Sequence, residues 1–271
     1  MSSILTNTSA LVALQTLKST NAGLAKAQNE ISTGLKVATA KDNSSTWSIA
    51  ATMKSDVSSY KTLGESLTSA SAMVGTARTA SEQISGILKQ IQEKVVQADG
   101  ADSDTLSKLQ ADVDALTDTI TSIATSAQYN GINLVSTAST DKDVMVSVIR
   151  DDAGALSAEK ATVVAQDLEA LGAAITLTDD ADDNLDAVDT LLDTANTAAA
   201  AFGAAQIRID AQNDFLSKQA DALKAGVGAL VDADMEEASA RLSALQVQQQ
   251  LGIQALSIAN QAPQNVLALF R

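Results

Sequence analysis

The sequence predicts a mainly α fold: a long antiparallel helical hairpin or coiled-coil rod, a small β-hairpin region near residues 132–180, and N- and C-termini side by side. Apolar residues recur every three or four positions along most of the chain, which is the period of one helix face. Aromatic residues make up only 2% and there is one proline, a composition typical of long helices that pack through small side chains. The helical segments are also ordered almost symmetrically about residues 132–180.

The last forty residues, 232–271, carry the strongest pattern. They open with the acidic segment DADMEE, and no charged residue lies between Arg241 and Arg271. Two apolar stripes lie on different sides of the predicted helix. The first stripe is Met235, Ala238, Leu242, Leu245, Gly252, Leu256 and Ala259, and the second stripe is Ala244, Val247, Leu251, Ala255, Ile258, Ala262 and Val266. One partner cannot cover both stripes, so several neighbours are expected to pack on this helix.

The N-terminal segment resembles the C-terminal one in lacking charge before Lys18. Its predicted seam consists of Leu14, Leu17, Leu24, Ile31 and Leu35. Asn21 and Gln28 fall in the same stripe, where they either fix the register of a helix pair or simply face solvent. Residues 36–45 form a connector, in which Asp42 or Asn43 is placed to cap the next helix.

A long helix is predicted over residues 44–97. Gly64, Gly75 and Gly86 are spaced by eleven along it, either by chance or because another helix approaches closely there. After a turn at 99–103, a second helix covers 106–127 and ends before Asn130-Gly131, a dipeptide typical of tight turns.

Residues 132–180 have a different pattern. Residues 144–149 alternate like a strand, residues 152–154 form a turn, and residues 163–171 form a short helix or strand. The aspartates from Asp179 to Asp193 lack the glycine and closing glutamate of a calcium loop, so a solvated face is expected. A third long helix follows over 183–227, and Gly226, Gly228 and then residues 232–234 interrupt the pattern before the closing helix.

Composition excludes several functions. The net charge is −15 and the pI is about 4.2, which argues against binding nucleic acid or a membrane surface through a basic face. The chain has no Cys and no His, which excludes a disulfide framework, a zinc site and a catalytic unit based on those residues. We therefore expect no enzyme activity, no cofactor and no small-molecule substrate. No apolar run is long enough for membrane insertion, and the first residues do not resemble a cleaved secretory signal.

The terminal segments predict self-polymerisation. Ordering about seventy terminal residues costs on the order of 1 kcal/mol each, and two lone helices bury too little surface to offset this cost. The termini are therefore expected to fold only when neighbouring copies cover them. The predicted self-assembly interface is Leu11, Leu14, Leu17, Leu24, Ile31, Leu35, Leu242, Leu245, Val247, Leu251, Leu256, Ile258, Leu267 and Phe270.

Four segments together carry a resemblance to one known family. Residues 32–43 contain STGLK and AKDN, similar to the signature SGLR…AKDD. Residues 128–134, QYNGINL, are similar to an FNGxxL turn, and residues 232–238, DADMEEA, to a DADMAEE segment. The fourth is the Gln-rich segment at 251–261 with the final LFR. In this order the segments resemble those of bacterial flagellins, of the short, alphaproteobacterial-like kind without large outer domains.

This resemblance implies a structural subunit of the extracellular flagellar filament, used for swimming motility. Residues 1–40 and 230–271 would form the filament core, called D0, and residues 41–229 the helical rod D1 with its small β region. The resemblance also implies export by the type III route. The implied partners are a flagellar export chaperone, cap proteins and hook–filament junction proteins. A junction protein is the alternative, since it shares the terminal helices. Some family members carry a metallopeptidase, but its HExxH motif is impossible here without His.

Residues 88–97, LKQIQEKVVQ, are similar to the family segment LQRVRELAVQ, which the vertebrate Toll-like flagellin receptor recognises. Here Gln90 replaces an arginine and Lys94 replaces a leucine, with Glu93 between them. Gln cannot reproduce the bidentate contacts of Arg, and Lys is costly to bury on an apolar contact. We therefore predict weak or absent receptor activation.

Overall fold

The computed structural model describes residues 7–151, 154–173, 175, 177 and 181–269. The chain divides into two compact units, which we call the terminal unit and the central unit. The terminal unit is Met1–Asp56 together with Ala222–Arg271, and the central unit is Val57–Asp221.

Within the described residues, five long helices confirm the mainly α prediction, and the remaining elements are short strands and one 3₁₀ turn. The helices are α1 (Thr8–Thr33), α2 (Ser44–Ala98), α3 (Ser103–Ser126), α4 (Ala181–Val231) and α5 (Met235–Leu269). The strands are β1 (Gln128–Tyr129), β2 (Ile132–Asn133), β3 (Lys142–Arg150) and β4 (Leu156–Val163), and the 3₁₀ turn is Ala170–Ala173.

In the central unit, α2 and α4 run antiparallel. Polar side chains join them along their length: Ser85 Oγ donates to Asn196 Oδ1 at 2.7 Å, and Ser71 Oγ donates to Asp210 Oδ1 at 2.8 Å. The core lies beside these bonds and consists of the apolar face predicted by the three-four spacing. Its largest fully buried members include Leu67, Ile84, Leu88, Ile91, Ile120, Phe202, Ile209 and Leu216.

The β region packs on this helical core. Asn130 (φ 50°) and Gly131 (φ 78°) both adopt left-handed backbone between β1 and β2, as a type I′ hairpin turn requires. β3 pairs antiparallel with β4, with an irregularity between Met145 and Ser147. Val144 and Val146 are buried, which confirms the predicted strand.

The β region differs from the prediction in two places. Residues 156–163 form β4, which was not predicted because Glu and Lys interrupt its alternation. Residues 164–169 are neither helix nor strand, and only Ala170–Ala173 form a 3₁₀ turn. That turn lies against α3, where a Cβ at Gly172 would be 2.9 Å from the Thr117 carbonyl oxygen. Asp179 and Asp180 lie outside the described residues.

Gly226 and Gly228 do not interrupt α4, which continues to Val231. Gly226 lies against α2, where a Cβ would be 3.5 Å from Met53 Cε. Tertiary packing thus overrides the weak helix propensity of glycine. The three glycines of α2 do not share one role. A Cβ at Gly64 would lie 3.1 Å from Asn213 Oδ1, but a Cβ at Gly86 would meet nothing within 4 Å.

Candidate assembly surface

The two connectors of the terminal unit pair with each other. Gly34 ends α1 with φ 69°, a left-handed conformation suited to glycine. The Ala233 N–H donates to the Gly34 carbonyl at 2.9 Å, and the Lys36 N–H donates to the Val231 carbonyl at 2.7 Å. The motifs at 32–43 and 232–238, far apart in sequence, therefore meet in space. Beside them a small apolar cluster joins Val37 and Ala50 to Val227 and Val231.

Side-chain caps fix where the helices after the connectors begin. Asn43 Oδ1 accepts from the Thr46 N–H at 3.1 Å, so Asn43 rather than Asp42 caps α2. Asp234 Oδ1 accepts from the N–H groups of Glu236 and Glu237 at 3.0 and 3.2 Å, which caps α5. Such caps satisfy amide donors that have no partner inside the helix.

Asp42 instead forms hydrogen bonds within the connector between α1 and α2. Its Oδ2 accepts from both the backbone N–H and the hydroxyl of Thr39 at 2.9 Å. The backbone bond and then the hydroxyl bond lower the pKa of the Asp42 carboxyl below its ordinary value of 3.8, because both favour the charged form.

α1 and α5 form an antiparallel pair, so the described parts of the N-terminal and C-terminal segments lie side by side, as predicted. Asn7 Nδ2 donates to the Ala259 carbonyl at 2.7 Å, and Gln249 Nε2 donates to Asn21 Oδ1 at 2.7 Å. Between these bonds the helices approach closely, since a Cβ at Gly252 would lie 3.2 Å from Leu17 Cδ1. These three contacts define one register for the pair.

The structure assigns different environments to the two stripes of α5. Except for Met235, which is 44% exposed, the first stripe is buried or half-buried and faces α1; Gln249 lies in the same row. The second stripe is uncovered wherever its side chains are described: Val247 is 56% exposed, Leu251 57% and Ile258 68%. The sequence could not tell which stripe pairs inside the chain, and the structure shows that it is the first.

The predicted seam of α1 needs correction at Leu14. Of the two polar positions left open, Asn21 accepts a hydrogen bond from Gln249 across the pair, whereas Gln28 faces solvent. Leu14 is 40% exposed, and Asn21 and Gln28 are exposed as well. Leu17, Leu24, Ile31 and Leu35 are half-buried as expected. The seam is completed by small residues instead: Ala10, Ala13, Thr20 and Ala27. Small side chains allow the helices to approach closely. Together with Leu17, Leu24 and Ile31 they alternate by three and four, and this spacing is the signal in the sequence that predicts the complete seam.

The remaining residues of the predicted interface fall into three groups. Leu242, Leu245 and Leu256 are half-buried against α1. Leu11 is 60% exposed, on a different side of α1 from its buried seam. The side chain of Leu267, and Phe270 entirely, lie outside the described residues.

The segment compared with the receptor epitope lies on α2. Gln90 and Glu93 are exposed. Lys94 is half-buried, and its Nζ lies 2.7 Å from Asp112 Oδ2 on α3. The lysine therefore has an acidic partner within its own chain.

Among the described residues, no group of three or more His, Cys, Asp or Glu side chains is placed to hold a metal ion. Also within the described residues, no helix is long and apolar enough to cross a membrane. The described side chains of the second stripe form an apolar surface that is exposed on a helix already paired with α1. Such a surface is typical of the class of helical structural proteins that self-associate.

Comparison with known proteins identifies the family within that class. Residues 4–140 match the bacterial flagellin N-terminal helical region, and residues 185–270 match the bacterial flagellin C-terminal helical region. The chain is 44% identical to a flagellin of Brucella melitensis over 283 residues, covering 100% of both chains. It is 37% identical to flagellin FljM of Caulobacter vibrioides, covering 100% of this chain and 99% of that protein.

Among solved structures, the chain is similar to a crystal structure of Bacillus cereus flagellin, with a TM-score of 0.46 and 24% identity. That match covers 55% of this chain and 86% of the other. The sequence matches are sufficient for the assignment: the chain belongs to the bacterial flagellin family, and it is a structural subunit of the flagellar filament.

Proposed function

We propose that this flagellin polymerises by placing the second stripe of α5 against neighbouring subunits, while the first stripe holds α1 within the same chain. The observation that carries the proposal is the exposure of Val247, Leu251 and Ile258 on a helix without charge between Arg241 and Arg271. A continuous apolar stripe of this kind is unfavourable in water. A neighbouring subunit that covers it removes the apolar surface from solvent.

Polymerisation in this scheme couples folding to association. The α1–α5 pair has a narrow seam of small residues, with Ala13, Thr20 and Ala27 at central positions. Such a seam buries little apolar surface per residue, whereas each ordered residue costs on the order of 1 kcal/mol of backbone entropy. Burial of the second stripe in the polymer supplies the additional stabilisation. The termini of the free subunit are accordingly expected to be less ordered than those in the filament.

The surfaces used by one subunit differ from those it contacts on the next, so the contact is head-to-tail. Such a contact repeats without closing and produces an open helical polymer. In this proposal residues 1–40 and 230–271 form the filament core and residues 41–229 the surrounding rod. The pairing of Gly34 with Ala233 supports the association of the two terminal segments. The terminal unit extends beyond the proposed boundaries, to Asp56 on one side and from Ala222 on the other.

The proposal extends to partners and location. The filament lies outside the cell, and the subunit reaches it by type III export with a chaperone bound to its C-terminal segment. Cap and hook–filament junction proteins contact the ends of the polymer. The protein acts without catalysis or a cofactor, since its function is mechanical and depends on packing.

The test replaces Leu251 by Asp in the full chain. A carboxylate in the second stripe is costly to bury, by several kcal/mol in an apolar contact, so Leu251→Asp is expected to abolish polymerisation. Polymer formation is measured by sedimentation and negative-stain microscopy after seeding. Gln250→Asp, a neighbouring exposed position on a different side of α5, is the matched control and should retain polymerisation.

Circular dichroism of both variants checks that the helices of the free subunit are unchanged. Normal filaments from Leu251→Asp would show that the second stripe is not an intersubunit surface. Removing residues 261–271 is a second test, and it should prevent polymerisation while the central unit stays folded.

A further inference from the structure

A charged groove lies in the terminal unit between the last turns of α1 and the connector that follows it. It encloses about 460 Å³. Its lining includes the small side chains Ala22, Ala25 and Ala38 and three lysines, Lys26, Lys36 and Lys41. All three lysines are exposed.

The acidic residues of the groove neutralise these lysines only in part. Glu30, whose side chain is 10% exposed, lies 3.9 Å from Lys26 Nζ. The Asp42 carboxylate is held by the N–H and hydroxyl of Thr39. Within the described residues, the side chains of Lys36 and Lys41 have no ion-pair partner. The groove therefore presents a net positive surface.

Charge is divided unequally between the two units of the chain. The terminal unit holds eight basic and seven acidic residues, whereas the central unit holds ten basic and 26 acidic residues. In a polymer made of one kind of subunit, the central unit is thus the main source of uncompensated negative charge. A basic groove cannot pair with the same groove of another copy, because like charges repel.

One acidic row of the central unit is suited to such a groove. Asp186, Asp189 and Asp193 follow each other at intervals of three and four on α4, which places them on one helix face. All three are exposed, and none has an ion-pair partner among the described residues. The row extends about 10 Å along the helix.

We propose that the groove of Lys26, Lys36 and Lys41 receives the Asp186–Asp189–Asp193 row of a second copy of this chain. The contact joins two different surfaces, so it is head-to-tail and compatible with an open polymer. It rests on the proposed function and adds an electrostatic contact that fixes how successive subunits are placed. The contribution of this electrostatic contact to polymer stability decreases as salt screens the charges.

The test is a charge reversal in the full chain, Lys36→Glu with Lys41→Glu. Critical concentration for polymerisation is measured by sedimentation at about 0.05 M and about 1 M salt. At low salt the variant should need about tenfold more protein than the wild type, the effect expected when two partly exposed ion pairs are lost. At about 1 M salt, where the Debye length is about 3 Å, the ratio between variant and wild type should approach one.

Two further variants make the result specific. Adding Asp186→Lys and Asp189→Lys to the reversed groove exchanges the charges at two of the three positions on each surface and should lower the critical concentration again. Lys61→Glu with Lys89→Glu changes the net charge equally at exposed positions outside the groove, and it should have a smaller effect. Circular dichroism confirms that each variant is folded.

The proposal is overturned if the groove variant behaves like the Lys61/Lys89 control, or if the fourfold charge exchange fails to restore polymerisation. Either result leaves the role of the second stripe intact, because Leu251→Asp tests that role separately. Loss of polymerisation by the groove variant that persists at high salt also contradicts an electrostatic contact.

Discussion

Leu17 and Gly252 face each other across the α1–α5 pair, and a Cβ at position 252 would lie 4.0 Å from the Cβ of Leu17. This separation is within the Cβ–Cβ range of about 3.5–4.5 Å found in disulfides. Because the chain has no native Cys, an engineered cysteine pair reports on this contact without interference.

The double substitution Leu17→Cys with Gly252→Cys is therefore expected to form a disulfide within one chain under mild oxidation. The oxidised protein should migrate as a monomer of altered mobility on a non-reducing gel. Val12→Cys with Gly252→Cys is the control and should not cross-link within the chain, since Val12 is 64% exposed. If cross-linked dimers dominated, α1 would be pairing with α5 of another subunit.

A second prediction concerns the contact between the 3₁₀ turn and α3. A Cβ at Gly172 would lie 2.5 Å from Thr121 Oγ1 and 2.9 Å from the Thr117 carbonyl oxygen. Gly172→Ala should destabilise the central unit by about 1–3 kcal/mol, because the backbone must shift to admit the methyl group. Denaturant unfolding followed by circular dichroism measures the change.

Gly86→Ala is the matched control for that substitution. Gly86 lies inside α2, and a Cβ there would meet nothing within 4 Å. Alanine should stabilise the helix by up to about 1 kcal/mol. Equal effects of the two substitutions would contradict the packing seen at Gly172.

The contribution of the connector to folding stability is predicted to depend on pH, because Asp42 titrates there. Hydrogen bonds from Thr39 lower the pKa of this carboxyl below 3.8 in the folded state. Stabilisation by the charged carboxylate is therefore fully present above pH 3.8, and it is lost as the pH falls through the lowered folded-state pKa. Asp42→Ala removes the group that titrates.

The wild type should thus be more stable than Asp42→Ala at neutral pH, and the difference should decrease below pH 3.8. Unfolding transitions measured across the acidic range provide the comparison. Asp118→Ala, at an exposed aspartate of α3, serves as the control for removal of one negative charge. A difference that grows as the pH falls would have the wrong sign for this mechanism.

Receptor activation is predicted to be weak. Gln90 is exposed and lacks the guanidinium of the arginine in the similar family segment, and Lys94 is paired with Asp112 at 2.7 Å. Gln90→Arg with Lys94→Leu should raise the response in a cell reporter assay for the Toll-like flagellin receptor. Lys108→Leu, at an exposed position of α3, is the control for loss of a lysine. Strong activation by the unmodified protein would contradict the prediction.

Periodicity alone was sufficient to locate the long helices. α2 and α3 begin and end within a few residues of their predicted limits. A buried helix face needs apolar side chains at every turn, and this spacing predicts the body of each helix. The ends were predictable because Asn43, Gly100 and Asp102 lie at the boundaries. The DADMEE and AKDN segments were likewise recognisable, since caps require particular side chains next to the helix start. The two apolar stripes of α5 were also visible in the sequence.

Other features depended on distant residues. The short distance between α1 and α5 places Ala13 rather than Leu14 in the α1 seam. Gly252 allows the two helices to come this close. The continuation of α4 through Gly226 depends on its contact with Met53, which overrides local propensity. The sequence determined that the terminal helix has two apolar sides. Only the tertiary structure decided which side is used within the chain, because that choice depends on the register in which α1 packs against α5.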